Sequence, residues 1–179
     1  SAEQGVLASQ RSLRYCYGNG KGVEQDYEVS MEWYQKSAEQ NDPESQYHLG
    51  QYYYEGKGVE QDYVVAVEWF TKASDLGNAE AQNILGLCYY NATGVEQDYK
   101  MAFECFSKSA EQNNAEAQYN MANCYYYGNG TKMNYGKAAE WYQKAAEQGV
   151  SEAQYSIGRC YFLGQGVEND YISAIEWYL

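Results

Sequence analysis

The sequence has a single proline, Pro43, and a single histidine, His48, in 179 residues. One histidine leaves a Ser-His-Asp or Cys-His constellation, or a histidine-based metal site, at most one place to form. Little proline, with much alanine, glutamate and glutamine, favours helix. Positive charge is also scarce: 12 basic against 25 acidic side chains leave a net charge of -13. That balance argues against nucleic acid and anionic membrane surfaces as partners, because binding phosphates needs clustered cations. No stretch approaches the roughly 18 apolar residues of a membrane-spanning helix, and Ser1-Ala2-Glu3-Gln4-Gly5 has none of the features of a secretory signal. What the chain does have is 45% apolar and 17% aromatic residues, too much for a self-repelling disordered chain. Its 22 tyrosines offer a large amphipathic contact area. These observations describe a soluble, acidic, mainly helical protein.

One internal repeat dominates. Gly22-Val23-Glu24-Gln25-Asp26-Tyr27 returns at 58–63 and 94–99, and in degraded form at 130–135 and 166–171, always at a spacing of 36. Trp33, Trp69, Trp141 and Trp177 keep the same period, with Cys105 in the remaining slot. Each unit reads as two helices. In the first, Ser45, Leu49, Tyr52, Tyr53 and Gly56 follow the three- and four-residue steps of a helical stripe. The second starts near Asp62, a good N-cap, and carries the stripe Tyr63, Ala66, Val67, Phe70, Ala73, Ser74. It ends at Gly77, whose equivalents are Gly5, Asn41, Asn113 and Gly149, the residue types that accept left-handed cap geometry.

Two such helices cannot bury both faces alone, whereas stacked neighbours share a continuous core. The expected fold is therefore an all-α solenoid of helix-turn-helix repeats without strands. Boundaries fall at 6–41, 42–77, 78–113, 114–149 and 150–179. Residues 1–5 match the tail of a preceding second helix and Leu179 falls inside the last one, so both ends read as cut from a longer array. A tryptophan slot buried between repeats makes Trp69→Ala cost about 3–5 kcal/mol.

The motifs Glu152-Ala153-Gln154-Tyr155 with Gly158 and Tyr161, the turn from Gly166 to Tyr171, and the second-helix segment 138–149 resemble the Sel-one-like repeat. That family is a relative of the tetratricopeptide repeat, whose Leu-Gly-x-x-Tyr core is matched by Leu49-Gly50 and Tyr53. The resemblance covers essentially the whole chain. It implies a right-handed α/α superhelix whose first helices line a concave groove. It also implies an adaptor role, with relatives serving in signalling, envelope assembly, protein quality control and host interaction. A paired-cysteine subgroup, sometimes described as β-lactamase-like, carries one cysteine in each helix of a repeat. Here those slots hold Gln46, Gln82, Gln118 and Gln154 against Ala38, Ser74, Ala110 and Ala146, so that subgroup is not matched.

Chemistry is hard to find in the residues. The His48 slot holds Ser12, Ile84, Asn120 and Ser156 elsewhere, which fits an ordinary helix position. Cys16, Cys88, Cys124 and Cys160 share one slot, about one repeat apart (roughly 10 Å) and beyond disulfide reach. They and Cys105 read as free, buried thiols, which suit a cytoplasmic setting. The Gly-rich segments at 18–22 and 128–132 lack the spacing and preceding strand of a phosphate loop, and so read as turns. Asn91-Ala92-Thr93 and Asn129-Gly130-Thr131 fit the glycosylation pattern, which matters only in a secretory pathway. No catalytic residue, metal or cofactor is expected.

Comparison of the repeats with one another locates the candidate site. Gln46 and Tyr53 keep their identity in all five units, as scaffold positions should. Three slots on the first helix wander instead. One holds Arg11, Tyr47, Asn83, Tyr119 and Tyr155; the next holds Tyr15, Gln51, Leu87, Asn123 and Arg159. A third holds Tyr54, Tyr90, Tyr126 and Phe162, with Gly18 in the first unit. Spacings of four and three set them on one ridge of each helix, which the resemblance turns toward the groove. Tyrosine and arginine are frequent interface anchors. The expected function is a non-enzymatic scaffold that binds a protein or peptide on this ridge. A structural spacer or oligomerisation segment is the alternative, with β-lactamase-like or glycan-binding activity behind it.

Overall fold

The computed structural model describes the backbone of residues 2–179 and the side chains of residue 9 and residues 12–179. Among the described residues there are ten helices and no strand. They are α1 (Ala2–Asn19), α2 (Tyr27–Ala38), α3 (Pro43–Glu55), α4 (Tyr63–Asp75) and α5 (Ala79–Asn91), followed by α6 (Tyr99–Glu111), α7 (Ala115–Tyr127), α8 (Tyr135–Glu147), α9 (Ser151–Leu163) and α10 (Tyr171–Tyr178). Helices pack on each other within a repeat (α3 on α4, α7 on α8) and across a repeat boundary (α2 on α3, α8 on α9).

The local structure follows from a few recurring residues. Asp26, Asp62, Asp98 and Asp170 cap the second helices by accepting backbone N–H bonds from their first turns, and Asn134 does the same for α8. After those helices the chain reverses through left-handed residues, Asn41 (φ 60°), Gly77 (87°), Asn113 (67°) and Gly149 (91°), as expected. The steady glutamine now has a structural reason. Nε2 of Gln46, Gln82, Gln118 and Gln154 donates to the carbonyl of Ala38, Ser74, Ala110 and Ala146, so each first helix is tied to the end of the preceding second helix. In the turn between helices Gly130 holds φ 71°, and a Cβ there would lie 1.9 Å from the Tyr99 carbonyl oxygen. Only glycine lets that turn sit on the start of α6.

Helix α1 runs through Gly5, because glycine adopts right-handed helical angles at a cost of only about 1 kcal/mol. One expectation is corrected: the tryptophans are not the core. Trp33, Trp69, Trp141 and Trp177 are half-buried, and lysines stand over three of them at 3.9–4.3 Å from the ring centroid (Lys36, Lys72, Lys144). The residue one position on takes the core instead: Phe70 and Phe106 are each 1% exposed, and Tyr34 and Tyr142 are also buried. A helix turns by 100° per residue, so neighbouring aromatics cannot both face inward. The cysteine expectation holds for Cys88, Cys105, Cys124 and Cys160, which are free and buried, whereas Cys16 is only partly buried.

The chain divides into two compact units, one of residues 1–88 and 92–96, the other of residues 89–91 and 97–179. In the second unit Ala122, Ala138, Ala139, Tyr142, Ala145, Val150, Ala153, Ile157 and Cys160 form one apolar cluster. In the first unit Tyr34, Ala38, Leu49 and Tyr52 form a smaller cluster, and beside it lies a buried charge. Arg14, 3% exposed, donates from NH1 to Asp42 Oδ2 at 2.9 Å and to Ser45 Oγ, pairs with Glu44 at 3.2 Å, and lies 4.7 Å from the centre of the Tyr34 ring.

Candidate functional site

In the second unit the wandering slots of α7 and α9 converge on a cleft of about 440 Å3, lined by Tyr119, Asn123, Tyr126, Tyr127, Tyr142, Ser151, Glu152, Tyr155, Ser156 and Arg159. Helical spacing sets the first-helix residues on one face, and Tyr142 of α8 forms the floor. The Tyr119 and Tyr126 rings lie 5.8 and 6.3 Å from that of Tyr142. Tyr142 donates its hydroxyl to Asn123 Oδ1 at 2.6 Å, which fixes the amide and leaves its N–H groups for the cleft. Burial raises the Tyr142 pKa well above that of an ordinary phenol, so it stays a donor at neutral pH. Tyr155 is 61% exposed and packs one face on Tyr178 at 5.7 Å. Arg159 is exposed, lies 5.6 Å from the centre of the Tyr126 ring, and donates to the Tyr126 hydroxyl at 3.3 Å.

The third slot is different in character. Tyr90 accepts from Asn129 Nδ2 at 2.7 Å, and Tyr126 donates to Gln165 Oε1 at 2.7 Å. Each is half-buried and meets the first tyrosine of its own second helix edge-on, at 5.0 and 5.1 Å. Tyr54 meets Tyr63 in the same way at 5.0 Å, and Phe162 meets Tyr171 at 5.4 Å while remaining exposed. For Tyr90 and Tyr126 this slot is therefore as much a seam between repeats as a free surface.

In the first unit, Tyr47 packs on Phe70 at 6.0 Å and accepts from Gln51 Nε2 at 2.8 Å, while His48 Nδ1 donates to Gln51 Oε1 at 2.8 Å. His48 lies 4.8 Å from Tyr34 and 5.2 Å from Tyr47, and burial lowers its pKa below the ordinary value, leaving it neutral. Tyr15 is exposed with Lys21 over its ring at 5.3 Å, and Leu87 is half-buried. Asn83 departs from the groove expectation. It is 7% exposed. The Arg11 side chain lies outside the described residues. Two further clefts in this unit, of about 350 and 620 Å3, share His48 and Tyr34, and the smaller is lined mainly by polar groups.

The expected ridge did not include Tyr127, Tyr142, Ser151, Glu152 and Ser156 of the cleft. Tyr142 belongs to the slot of Tyr34, Phe70, Phe106 and Tyr178, whose aromatic constancy read as scaffold. Glu152 recurs as Glu44, Glu80 and Glu116, and that regularity also hid it. Burial pushes the Cys124 thiol up to about 12 and the Cys160 thiol up to about 11, far from thiolate formation at neutral pH. Among the described residues no group of three or more His, Cys, Asp or Glu side chains is placed to hold a metal ion, and no helix is long and apolar enough to cross a membrane.

Paired helices recurring every 36 residues define an α/α repeat protein of the solenoid class. The profile of the Sel1 repeat matches residues 7–42, 43–78, 79–114, 115–150 and 151–179, and the chain belongs to the Sel1 repeat family. Proteins of this family generally act in protein–protein interaction. A search of curated proteins finds no match. Among solved structures, the chain is similar to a protective antigen of uropathogenic Escherichia coli strains displaying an SLR fold, with 37% identity, a TM-score of 0.92, and coverage of 98% of this chain and 38% of that one. It is similar to a Sel1 repeat protein from Oxalobacter formigenes, with 33% identity, a TM-score of 0.90, and coverage of 96% and 71%. An immunity protein from Pseudomonas aeruginosa shares the fold at 23% identity and a TM-score of 0.64, with coverage of 99% and 68%. The chain thus spans well under half of the first relative and about seven-tenths of the second.

Proposed function

We propose that this chain is a non-enzymatic scaffold that binds a protein or peptide partner on the exposed ridge of its first helices. The observation that carries the reading is the cleft between α7 and α9, where Tyr119, Asn123, Tyr155 and Arg159 come together around about 440 Å3. Tyrosine gives large contact area at low entropic cost and keeps a polar handle, and arginine adds directional donors, the composition of interface hot spots. The Cys124 and Cys160 thiols are buried and held protonated, and the neutral His48 is engaged with Gln51, so none of these three supports nucleophilic catalysis. The adaptor role of the family points the same way.

Affinity capture from native lysate with the wild-type chain and with a Tyr47→Ala, Tyr119→Ala, Tyr155→Ala variant tests the reading. A partner retained by the first and lost by the second, with equal helical circular dichroism, supports the ridge. Equal capture by both folded proteins moves the site to the second helices or the turns.

A further inference from the structure

The described arginines live in opposite circumstances. Arg14 is buried and spends its guanidinium on Asp42, Glu44 and Ser45. Arg159 is exposed on the tyrosine cleft, its one hydrogen bond goes to the Tyr126 hydroxyl, and among the described residues no carboxylate lies within ion-pair distance of it. In a chain of net charge -13 an arginine with no acidic partner is unusual. A second donor faces the same cleft. Asn123 has its oxygen occupied by the Tyr142 hydroxyl, so its Nδ2 hydrogens are the free part of the amide. Guanidinium and amide N–H together form a donor pair at the Arg159 end of the cleft, with the Glu152 carboxylate as the acceptor elsewhere on its lining.

We propose that the α7–α9 cleft recognises an acidic side chain within an extended peptide segment, its carboxylate taken by Arg159 and Asn123 and its neighbours lying against Tyr119 and Tyr155. This rests on the ridge being the binding face and names what it binds there. One cation beside one amide suits a single carboxylate, whereas a polyanion such as nucleic acid would be repelled by the surrounding acidic chain. An internal side chain fits better than a chain terminus. Glu152 stands seven residues before Arg159 on α9, about 10 Å along the helix, in the same cleft. There it can accept from backbone N–H groups of a strand that runs on past Arg159.

The test is selection from two displayed libraries of random heptapeptides, one held at both ends and one with a free C-terminus, by the wild-type chain and by Arg159→Gln. The doubly tethered pool should be enriched in Asp or Glu by the wild type, and Arg159→Gln should lose that enrichment. A selected peptide should bind Arg159→Gln about tenfold more weakly, the loss expected of one charge-assisted contact. Its Glu→Gln or Asp→Asn version should bind wild type and variant alike. Enrichment only in the free-ended library, without acidic residues, overturns the proposal in favour of a terminal carboxylate. Peptides selected without acidic preference, or equally by Arg159→Gln, overturn it while leaving the ridge as a binding face. Failure to select any peptide over the Tyr119→Ala, Tyr155→Ala control counts against both. Asn123→Asp is the second variant: it replaces a donor by a like charge, should weaken the acidic peptides, and is isosteric enough to keep the fold.

Discussion

The junction of the first and second repeats and the junction of the fourth and fifth fill the same four slots in opposite ways. Arg14, Tyr34, Asp42 and Ser45 stand where Ala122, Tyr142, Val150 and Ala153 stand three repeats later. All eight are buried. At the later junction the set is apolar except for the tyrosine hydroxyl, and that hydroxyl reaches out to orient Asn123 at the cleft. At the earlier one, a guanidinium occupies the small-residue slot and draws in a carboxylate and a hydroxyl. Asp42 is diverted: Asn78 and Asn114 in its slot cap their helices through N–H bonds to Ala81 and Ala117, whereas Asp42 makes no side-chain cap and faces Arg14. The slot is small elsewhere because the following aromatic leans on it; a Cβ on Gly50 would come within 2.5 Å of the Phe70 ring. One backbone therefore tolerates either an apolar or an ionic filling, provided the members of the set change together.

The comparison breaks most visibly at Asp42. Asp42→Ala removes the buried carboxylate from the Arg14 guanidinium, leaving it only Ser45 and the exposed Glu44, and should destabilise the first unit by about 3–5 kcal/mol. Arg14→Met combined with Asp42→Val, which imports the apolar logic of the junction between the fourth and fifth repeats, should leave stability within about 1–2 kcal/mol of wild type or raise it. Hydrogen exchange read peptide by peptide checks both, since a repeat chain need not unfold in one step. If the double change costs as much as Asp42→Ala, the two fillings are not interchangeable.

Next in size is the aromatic pair shared by both units. Phe70→Ala and Phe106→Ala should each cost about 3–5 kcal/mol. Trp69→Ala and Trp141→Ala, which remove half-buried rings under a lysine, should cost about 1–2 kcal/mol. Thermal unfolding of the four variants ranks them, and equal losses would contradict the assignment of the core. A smaller change sharpens the comparison in the other direction. Ala92 holds φ 58° where the second unit uses Gly128 and Gly164. Ala92→Gly should therefore stabilise by about 1 kcal/mol, seen as a raised denaturant midpoint.

The smallest expected effect is on pH. His48 is the only histidine and belongs to the first unit. Its folded pKa is lowered mainly by burial, and further by Arg14, against the raising influence of Gln51, Glu44 and Asp42. A lowered basic pKa means that the unfolded chain takes up the proton first. Its contribution is therefore full above the ordinary histidine value of about 6.5 and is lost as pH falls through it. Exchange protection in residues 43–55 should fall between pH 7 and pH 5, and His48→Gln should flatten that slope. An unchanged slope in the variant assigns it to the carboxylates.

Most of the fold was legible in the sequence, because a solenoid repeats its instructions. The 36-residue period, the aspartate caps and the left-handed Asn41 and Gly77 slots all appear as recurrences. What escaped was relational. Trp69 and Phe70 are adjacent apolar residues, and only packing says which one faces inward. Asn83 shares a slot with Tyr47 and Tyr119 yet is buried by its neighbours. The hydroxyl of Tyr126 is taken by Gln165, 39 residues on, a contact that no single-repeat pattern contains. The Arg14 cluster did leave a trace, since Arg14 stands in a slot of glycine and alanine and Asp42 carries the one charge in its own slot, but both lie off the ridge of wandering positions. At the site, the ridge residues of α7 and α9 were legible as variable tyrosines, whereas Tyr142 and Glu152 were hidden by their regularity.

The most direct test of the binding ridge is hydrogen exchange on the complex with a selected peptide, compared with the free chain. The prediction is new protection in residues 115–127 and 151–163, the helices that carry Asn123 and Arg159, with α6 unchanged. Protection confined to residues 99–111, on the second helix α6, with the first helices unaltered, would contradict it.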